Sequence, residues 1–416
     1  MTLYVPPIEG RTTASNTSVG QLAGITISSG ANNTLAGNSA GTNVGTGSGN
    51  TFVGATAGAA LSSGTNNVAI GLLSMRFAST AFDNVCAGHQ SGISLSSGSG
   101  NVCLGKNAGL SLTTGTYCVF VGNAAGQGAT SSSAIGVGQA ALQSCAANDT
   151  IGIGRTAGQS ITTGTDNIAI GASALRLTTT GQQNLAIGRS ALENLQGRPN
   201  PSDPNDLRCM FNTAIGVGVL GQLTTGWENI GMGNNVMPVA STGSVNTAIG
   251  SEALRGLTTG SGNTAYGVAA LQAVTSGQAN VGLGGNAGGI VADTNANTTG
   301  SNNTFLGANA VPSSPAQQDH MTLIGADCSG ARSNAVFVGR SNGLDTLVAQ
   351  GPLEVGGAIT LRLYTVAALP TAGVGKTAYA ANGRRFGEAA GGGTGIPVWS
   401  DAGNWRTYYD NSVVAA

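Results

Sequence analysis

The chain carries little charge and few aromatic side chains. Of its 416 residues, 8% are charged and 4% are aromatic, and the formal net charge is −1. Lysine occurs only at Lys106 and Lys376, and histidine only at His89 and His320. Such a chain has no basic stripe that would neutralise phosphates. We therefore expect neither nucleic acid nor an anionic membrane as a partner.

Signals for membranes, metals and cofactors are also missing. No apolar run approaches the roughly 18 residues needed to span a bilayer. The opening MTLYVPPIEG lacks the basic and then apolar layout of a signal peptide, so we expect a chain made in a cytosol, without membrane insertion. No cysteines have CxxC or another metal-ligand spacing. The many GxG fragments do not follow a strand and open a helix, as a dinucleotide site requires. We expect no metal and no cofactor.

Glycine is abundant, with 69 residues, and it marks an internal repeat. The stretch from Asn246 to Asn280 contains the unit twice: Asn-Thr-Ala-aliphatic-Gly, two variable residues, Ala-Leu, and a Thr/Ser-Gly turn. The glycine that ends the first motif, here called the marker glycine, recurs mostly at intervals of 17 residues. We assign 18 markers: Gly37, Gly54, Gly71, Gly88, Gly105, Gly122, Gly136, Gly154, Gly171, Gly188, Gly216, Gly233, Gly250, Gly267, Gly284, Gly307, Gly325 and Gly339. This period predicts a solenoid in which each coil packs on its neighbours.

The repeat divides the chain into three predicted regions. Residues 1–30 lie outside it and form a candidate N-terminal attachment region. Residues 31–345 form an all-β shaft, a parallel β-solenoid or β-roll of about 18 coils. Residues 346–416 form a small C-terminal β domain, or knob, because two of the three Trp and four of the seven Tyr lie there.

Each coil is predicted to contain one short strand. The residue before the marker glycine is a large apolar residue in 16 of the 18 units, and the residue two places earlier is apolar or Thr. This alternation is typical of a strand. We expect the column before the marker, which includes Ile170, Ile187 and Ile249, to face the core. The small residue between, such as Ala169, should face solvent or a close neighbour. Alanine three residues after the marker should form a second inward column.

The small inward columns predict association between chains. A coil with one large and one small inward column buries little apolar area, whereas ordering the backbone costs about 1 to 2 kcal/mol per residue. We therefore expect several chains to share one core. A homotrimer around a single axis is the simplest closed arrangement for a fibre.

Asparagine opens the motif in 13 of the 18 units. Stacked coils would set these amides in a ladder of hydrogen bonds along the solenoid. Alternatively, each asparagine caps its own turn, and both interpretations stay open. The glycine three residues before the asparagine, as at Gly47 and Gly64, is expected to adopt a positive φ where the chain bends.

Two of the six cysteines, Cys86 and Cys103, occupy the same place in adjacent coils. We expect them to stack about one strand spacing apart. Their column usually holds Ala or Gly, so we interpret them as buried small hydrophobic residues. A disulfide or a metal site is the less favoured alternative for a cytosolic chain.

Two insertions interrupt the period. From Gly188 to Gly216 the interval is 28 residues, 11 more than the repeat, and the inserted loop spans 193–209. The interval from Gly284 to Gly307 is 23 residues, which adds six. The first loop is proline-rich and polar, and it is the best local candidate for a specific contact, although a tolerated surface insertion is the alternative. Its candidate contact residues are Arg198, Asp203, Asp206 and Arg208.

The aromatic residues of the tail are a second set of candidates. Such side chains give a small β domain its core, and they can also stack on sugar rings. The candidates for contact with a receptor are Trp399, Trp405, Tyr408 and Tyr409.

The motif forms NTAIG, NIAIG and NVAIG resemble the head repeats of trimeric autotransporter adhesins. The units of those adhesins stack as a left-handed parallel β-roll shared by three chains. Similar repeats occur in bacteriophage fibre proteins. The tail VAALPTAGVGKTAYAANGRRFGEAAGGGTGIPVWSDAGNWRTYYDNSVVAA looks like a C-terminal segment found on many phage tail-fibre and virion proteins. The adhesin repeat is shorter than 17 residues, and we expect this chain to have no secretion signal, coiled-coil stalk or membrane anchor of the adhesin kind, which favours a phage virion fibre over a bacterial adhesin.

The resemblance implies a structural virion fibre of a bacteriophage, a tail fibre or spike that mediates attachment to the host surface. Its implied partners are further copies of itself in a homotrimer, other virion proteins through one terminus, and a host-surface glycan. The alternatives are a capsid or head fibre without a receptor, a polysaccharide-degrading tailspike, and a bacterial trimeric surface adhesin.

We do not expect an enzyme. Glycan cleavage uses two carboxylates about 5 to 10 Å apart, and Asp203 and Asp206 are the closest sensible pair in the sequence. A nucleophilic triad needs a histidine with a nucleophile and an orienting acid. His89 and His320 have neither nearby in the sequence, and His89 directly follows a marker glycine, which favours a turn residue.

Overall fold

The computed structural model describes residues 15–197, 203, 206–290, 298–313 and 318–339, and four short strands nearer the C-terminus. By its internal contacts the chain divides into two units, Met1–Leu347 and Val348–Ala416. The end of the repeat in the sequence predicts this limit at residue 345.

Nineteen strands of three residues form one parallel sheet in the first unit. They are Thr17–Val19 (β1), Thr34–Ala36 (β2), Thr51–Val53 (β3), Val68–Ile70 (β4), Val85–Ala87 (β5), Val102–Leu104 (β6), Val119–Val121 (β7), Ile135–Val137 (β8), Ile151–Ile153 (β9), Ile168–Ile170 (β10), Leu185–Ile187 (β11), Thr213–Ile215 (β12), Ile230–Met232 (β13), Thr247–Ile249 (β14), Thr264–Tyr266 (β15), Val281–Leu283 (β16), Thr304–Leu306 (β17), Thr322–Ile324 (β18) and Val336–Val338 (β19). Each strand pairs with the strand of the next coil, residue for residue. No helix occurs among the described residues. The predicted parallel β-solenoid with a 17-residue repeat is confirmed.

The solenoid begins one coil earlier than predicted. β1 pairs with β2 through Thr17 and Thr34, and the Asn33 Nδ2 donates to the Asn16 Oδ1 at 3.1 Å. The predicted start of the shaft at residue 31 is therefore wrong, because residues 15–30 already form a coil. This coil was not predicted because its motif, NTSVG, has Ser at the strand centre, where the other units have Ala, Gly, Cys, Leu or Phe. The attachment role stays a prediction, and residues 1–14 lie outside the described residues.

One marker glycine is also misassigned. Gly136 is the buried centre of β8, paired with Phe120 and Gly152, and Gly138 takes the marker place with a φ of +131°. The sequence IGVG offers two glycines, and a strict period cannot choose between them when the coil itself is shorter. The coils that end at Gly138 and Gly154 each have 16 residues.

The strands face the opposite way to the prediction. The central residue of each strand points inward, and the first and third residues lie on the outside. Ala169 is completely buried, whereas its neighbour Ile170 is half-buried on the outer side. Ile187 and Ile249 are likewise on the outer side. Both alternating columns are apolar, so the period-two pattern identifies a strand without revealing which face is inside.

In most coils one bulky side chain fills a space that two places in the narrow interior share. One is the strand centre, and the other lies four residues after the marker glycine. Phe52 at a strand centre is matched by Gly58, where an added Cβ would lie 2.4 Å from the Phe52 ring. Ala169 at a strand centre is matched by Leu175, and both are completely buried. The two places therefore compensate each other in volume.

A single chain closes this interior. The alanine column three residues after the marker is buried as predicted: Ala57, Ala108, Ala174, Ala253 and Ala270. A further buried column lies seven residues after the marker and was missed in the sequence: Leu61, Leu95, Leu112, Leu195, Leu223 and Leu257. The premise that a coil is too thin for one chain is therefore wrong. Any association between chains must therefore use the outside of the solenoid.

Close stacking of the coils explains both glycine columns. Gly54, a marker, has a φ of +138°, and a Cβ there would lie 2.5 Å from the Gly71 carbonyl oxygen. The glycines three residues before the asparagine do not have the predicted positive φ. At Gly64, a Cβ would lie 2.0 Å from the Ala81 carbonyl oxygen. Gly54 and Gly64 require glycine because the next coil approaches too closely there for a side chain, whereas Ala81 and Cys209 occupy the second column in other coils.

The motif asparagines form a buried ladder that also caps the turns. The Asn50 Nδ2 donates to the Asn33 Oδ1 at 3.0 Å and to the Gly64 carbonyl oxygen at 3.0 Å. The Asn50 backbone N–H donates to the same Asn33 oxygen. Both interpretations of the asparagine therefore hold together. The ladder has two runs: Asn16, Asn33, Asn50, Asn67, Asn84 and Asn101, then Asn167, Asn184, Asn212, Asn229, Asn246, Asn263, Asn280 and Asn303.

The second unit contains four strands among the described residues: Leu363–Tyr364 (β20), Thr377–Ala380 (β21), Ile396–Ser400 (β22) and Trp405–Thr407 (β23). β20 and β21 are parallel, and the pairs β21–β22 and β22–β23 are antiparallel. The C-terminal knob stays a prediction.

Replacing Phe52 with alanine is expected to lower the free energy of unfolding by about 3 to 5 kcal/mol, because it leaves a cavity in a packed coil. Adding Gly58→Leu should restore most of the loss, since Leu175 occupies the equivalent place with a φ of +48°. Gly58→Leu alone should cost about 1 to 3 kcal/mol by overpacking. Denaturant unfolding measures all three, with Ser63→Ala on the exposed turn of the same coil as a control. A double variant no more stable than Phe52→Ala would contradict the volume compensation.

Asn246→Ala is expected to lower the free energy of unfolding by about 2 to 4 kcal/mol, because it leaves buried donors and acceptors in both adjacent coils without partners. The Asn246 Nδ2 donates to Asn229 and Gly260, and the Asn246 Oδ1 accepts from Asn263. The melting temperature by circular dichroism should fall clearly, whereas Asn234→Ala, at an exposed asparagine one coil away, should leave it unchanged. Equal melting temperatures for the two variants would refute the ladder's role in stability.

Candidate functional site

The outer side of the strands is a continuous surface without charge. We call it the outer strand face and define it by the first and third residues of β1–β19. Every first residue is Thr, Val, Ile or Leu, and every third residue is Val, Ile, Leu, Ala, Met or Tyr. Many of these side chains are exposed, including Val53, Ile70, Ile153, Ile230 and Leu283.

The outer strand face is large for a surface left in water. Nineteen strands at about 4.8 Å spacing give a length of roughly 86 Å, and three residues give a width of about 10 Å. The product is a footprint of roughly 900 Å², to which eight Thr side chains also contribute, and it is larger than the few hundred Å² of apolar patch usual on monomers. It is similar to the roughly 800 Å² that one partner buries in a standard protein interface.

The inserted loop carries an ion pair. The Arg208 Nε donates to the Asp206 Oδ1 at 2.7 Å, and the Arg208 Nη2 donates to the Asp206 Oδ2 at 3.0 Å. This hydrogen bonding raises the pKa of the exposed Arg208 guanidinium. The Asp206 N–H donates to the Asp203 carbonyl oxygen at 3.1 Å. The structure thus brings together three of the four predicted loop residues, and Arg198 lies outside the described residues.

The pairing assigns the loop residues different roles. Asp206 is buried and Arg208 is exposed, so only the guanidinium has a free side toward solvent. A bidentate pair between a buried carboxylate and Arg is strong and directional, and it fixes the end of the loop. Both Asp206 oxygens accept from Arg208, so the Asp206 carboxylate is held by this guanidinium.

The Cys209 side chain anchors the inserted loop on the solenoid. The buried Cys209 Sγ donates to the Thr224 carbonyl oxygen at 3.2 Å and to the Gly197 carbonyl oxygen at 3.5 Å. Leu195, at the start of the insertion, is also completely buried. The ends of the insertion therefore belong to the packed coil. Sequence reasoning missed this anchor, although the placement of Cys209 where most coils have glycine was a usable signal.

The predicted stacking of Cys86 on Cys103 is confirmed. They are direct partners in the pairing of β5 with β6, and both are completely buried. A hydrogen bond with Cys103, together with burial, raises the pKa of Cys86 well above its ordinary value. Burial raises the pKa of Cys118 to about 11. All six cysteines are buried thiols outside any disulfide, and burial is the environment of an unreactive thiol.

The other candidates are partly described. Trp399 lies in β22 opposite Arg406, and Trp405 lies in β23 opposite Ser400. Tyr408 and Tyr409 lie outside the described residues, and sugar stacking by the tail stays a prediction. His89 is in a turn, as predicted. Within the described ranges, no three His, Cys, Asp or Glu side chains are grouped closely enough to hold a metal ion.

In the same part of the chain, no helix has the length and apolarity to cross a membrane. Comparisons with protein-family models, with curated proteins and with solved structures give no match to this chain. The family resemblance therefore rests on the repeat motif and the tail segment alone.

The six thiols are expected to resist alkylation in the folded chain. At pH 8 a thiol with a pKa of about 11 is almost entirely protonated, and only the thiolate reacts. Iodoacetamide at pH 8 should therefore add no label to the native chain and six labels after unfolding in guanidinium, as measured by intact mass spectrometry. Rapid labelling of Cys86 or Cys118 in the native chain would contradict the burial of the strand centres.

Proposed function

We propose that the chain is a structural fibre of a bacteriophage virion, a tail fibre or spike that attaches the particle to the host surface as a homotrimer. The observation that carries the proposal is the outer strand face. It is long, uncharged and uninterrupted, and a soluble chain rarely leaves such a surface in water.

Self-association covers this surface most simply. A solenoid has the same repeat along its whole length, so a second copy offers a complementary face of equal length. Three copies around one axis form a closed arrangement. The partner chains then cover the outside of a coil that is already complete, and they do not contribute to its interior. This replaces the shared interior that the sequence analysis predicts.

The coil construction suits a shaft. Hydrogen bonds join successive coils at the strands, at the turns and through the asparagine ladder. Such repeated bonding resists bending and local opening, which is what a spacer between a particle and a host surface requires.

Receptor contact is assigned to the inserted loop, through Arg208, and to the tail aromatic residues Trp399, Trp405, Tyr408 and Tyr409. A host-surface glycan is the proposed ligand, and other virion proteins bind one terminus. We assign binding without cleavage, because Asp206 is held by Arg208 instead of standing free beside Asp203. Incubation of the purified protein with host capsule tests this assignment, and released oligosaccharide would overturn it.

Ile230→Glu is expected to dissociate the trimer into monomers, because it places a charge in the middle of the outer strand face. Light scattering after size-exclusion chromatography measures the mass. Val239→Glu is the matched control: it lies in the same coil and is 45% exposed, compared with 40% for Ile230, but it is not part of the outer strand face. Dissociation by both variants, or by neither, would contradict this face as the interface.

The position of the chain in the particle tests the attachment role. Electron microscopy of virions labelled with an antibody against the chain should locate it on the tail. Labelling confined to the capsid would favour the head-fibre alternative, and unlabelled virions would refute the virion role.

A further inference from the structure

The outer strand face nearly repeats itself at each coil, which leaves the alignment of two copies poorly determined. A shift of one chain along another by one strand spacing, about 4.8 Å, again sets Val, Ile or Thr against Val, Ile or Thr. Only one of nineteen strands loses its neighbour. Faces of this kind specify register weakly. A trimer with one defined length therefore needs features that break the repetition.

Three exposed aromatic residues break it. Tyr117 is 70% exposed, Tyr266 is 59% exposed and Phe211 is 40% exposed. Tyr266 is the third residue of β15, where every other strand has an aliphatic residue or Met. Tyr117 and Phe211 stand two residues before the first residue of β7 and β12, at a place we call the turn position.

The turn position lies on the same side of the coil as the outer strand face. Burial alternates from Tyr117 onward: Tyr117 is exposed, Cys118 is buried, Val119 is outward, Phe120 is buried and Val121 is outward. The Tyr117 ring extends along the column over the preceding coil, because a Cβ on Gly100 would lie 2.8 Å from the Tyr117 Cδ1. The aromatic rings therefore continue the apolar face at its edge.

These aromatic residues are unfavourable for a chain on its own. Tyr117 and Phe211 both have a φ of +58°, a conformation that bulky side chains rarely adopt. Most other coils place Asn, Asp, Ser or Gly there, such as Asn66, Asp83 and Gly100, and Val245 is a further bulky residue with this conformation. The rings are also left in water, so the strain is not offset by burial within the chain. Backbone strain that no contact within the chain offsets points to a contact with another molecule.

We propose that Tyr117, Phe211 and Tyr266 fix the axial register in which copies of this chain associate through the outer strand face. The occupant of the edge is a second copy, since the edge is continuous with the roughly 900 Å² face. The proposal rests on the self-association in the proposed function. In the correct alignment each ring packs against the coil at its own height on the neighbouring chain.

The spacing of the three residues makes every other alignment worse. They belong to the coils of β7, β12 and β15, which are five and three coils apart. Because these two intervals and their sum all differ, any shift brings at most one of the three rings to the coil of another. A shift of five coils is the only one that sets Tyr117 level with Phe211, the other ring at a turn position. This shift moves Tyr266 away from the coil against which it packs in the correct alignment. A single register is therefore favoured over all neighbouring ones.

The experiment replaces each ring with a residue type that other coils carry at that place: Tyr117→Asn, Phe211→Asn and Tyr266→Ile. A spin label at Thr259→Cys, on an exposed turn away from the face, reports distances between copies by pulsed electron resonance. The native thiols are buried and are expected not to take the label. The wild-type assembly should give one narrow distance distribution. The triple variant should keep its mass and add distances that correspond to axial shifts in steps of about 4.8 Å.

Phe77→Asn with Val239→Asn is the matched control, since both residues are exposed but lie outside the face and its edge; it should keep the wild-type distribution. Tyr266→Ile alone, a mild change on a strand, should broaden the distribution in part and guards against misfolding at the turn positions. A trimer whose single distance survives the triple substitution overturns the register proposal alone. A wild-type chain that is monomeric overturns the proposed self-association, and this proposal with it.

Discussion

The close approach of successive coils is the constraint on which the rest of the structure depends. Coils are joined by hydrogen bonds at the strands and also around the turns, as where the Gly58 N–H donates to the Ser74 carbonyl oxygen at 2.9 Å. Each residue therefore has the equivalent residue of the next coil directly beside it. Glycine is required where two backbones meet, at the marker and at Gly64. A buried polar side chain is tolerated where its equivalents bond to one another, as the asparagines do.

The same constraint explains how the chain varies without losing the fold. Both insertions fall between strands that still pair in direct register, β11 with β12 and β16 with β17. The bulky side chain lies at the strand centre in some coils, as Phe52 does, and four residues after the marker in others, as Leu175 does. The ladder is interrupted at Cys118, Ala134 and Thr150, where two coils are one residue shorter. The buried side chains also separate into two clusters close to these coils, so the shaft consists of two runs of regular coils.

Function follows from what this construction leaves outside. The interior is closed by one chain, so the apolar outer strand face has no role within it. Its cost in water is offset only when another surface covers it. The stacking of the coils and the proposed self-association therefore have the same origin, the repeat. Specific features, the Asp206–Arg208 pair and the exposed aromatic rings, occur where the sequence departs from that repeat.

The sequence by itself determined the period, the parallel stacking of short strands, the stacking of Cys86 on Cys103 and the sites of insertion, because these follow from the spacing of equivalent residues along the chain. The tertiary structure alone decided which strand face is inside. Ala169 and Ile170 alternate in a pattern that fits either orientation, and only the volume opposite them, filled by Leu175, excludes the larger residue. The tertiary structure also explains why residue 64 must be glycine. The Ala81 carbonyl oxygen excludes a side chain there, and it belongs to the next coil. Spacing along a chain reports which residues are equivalent, whereas the space available to each depends on a neighbouring coil whose distance the sequence does not state.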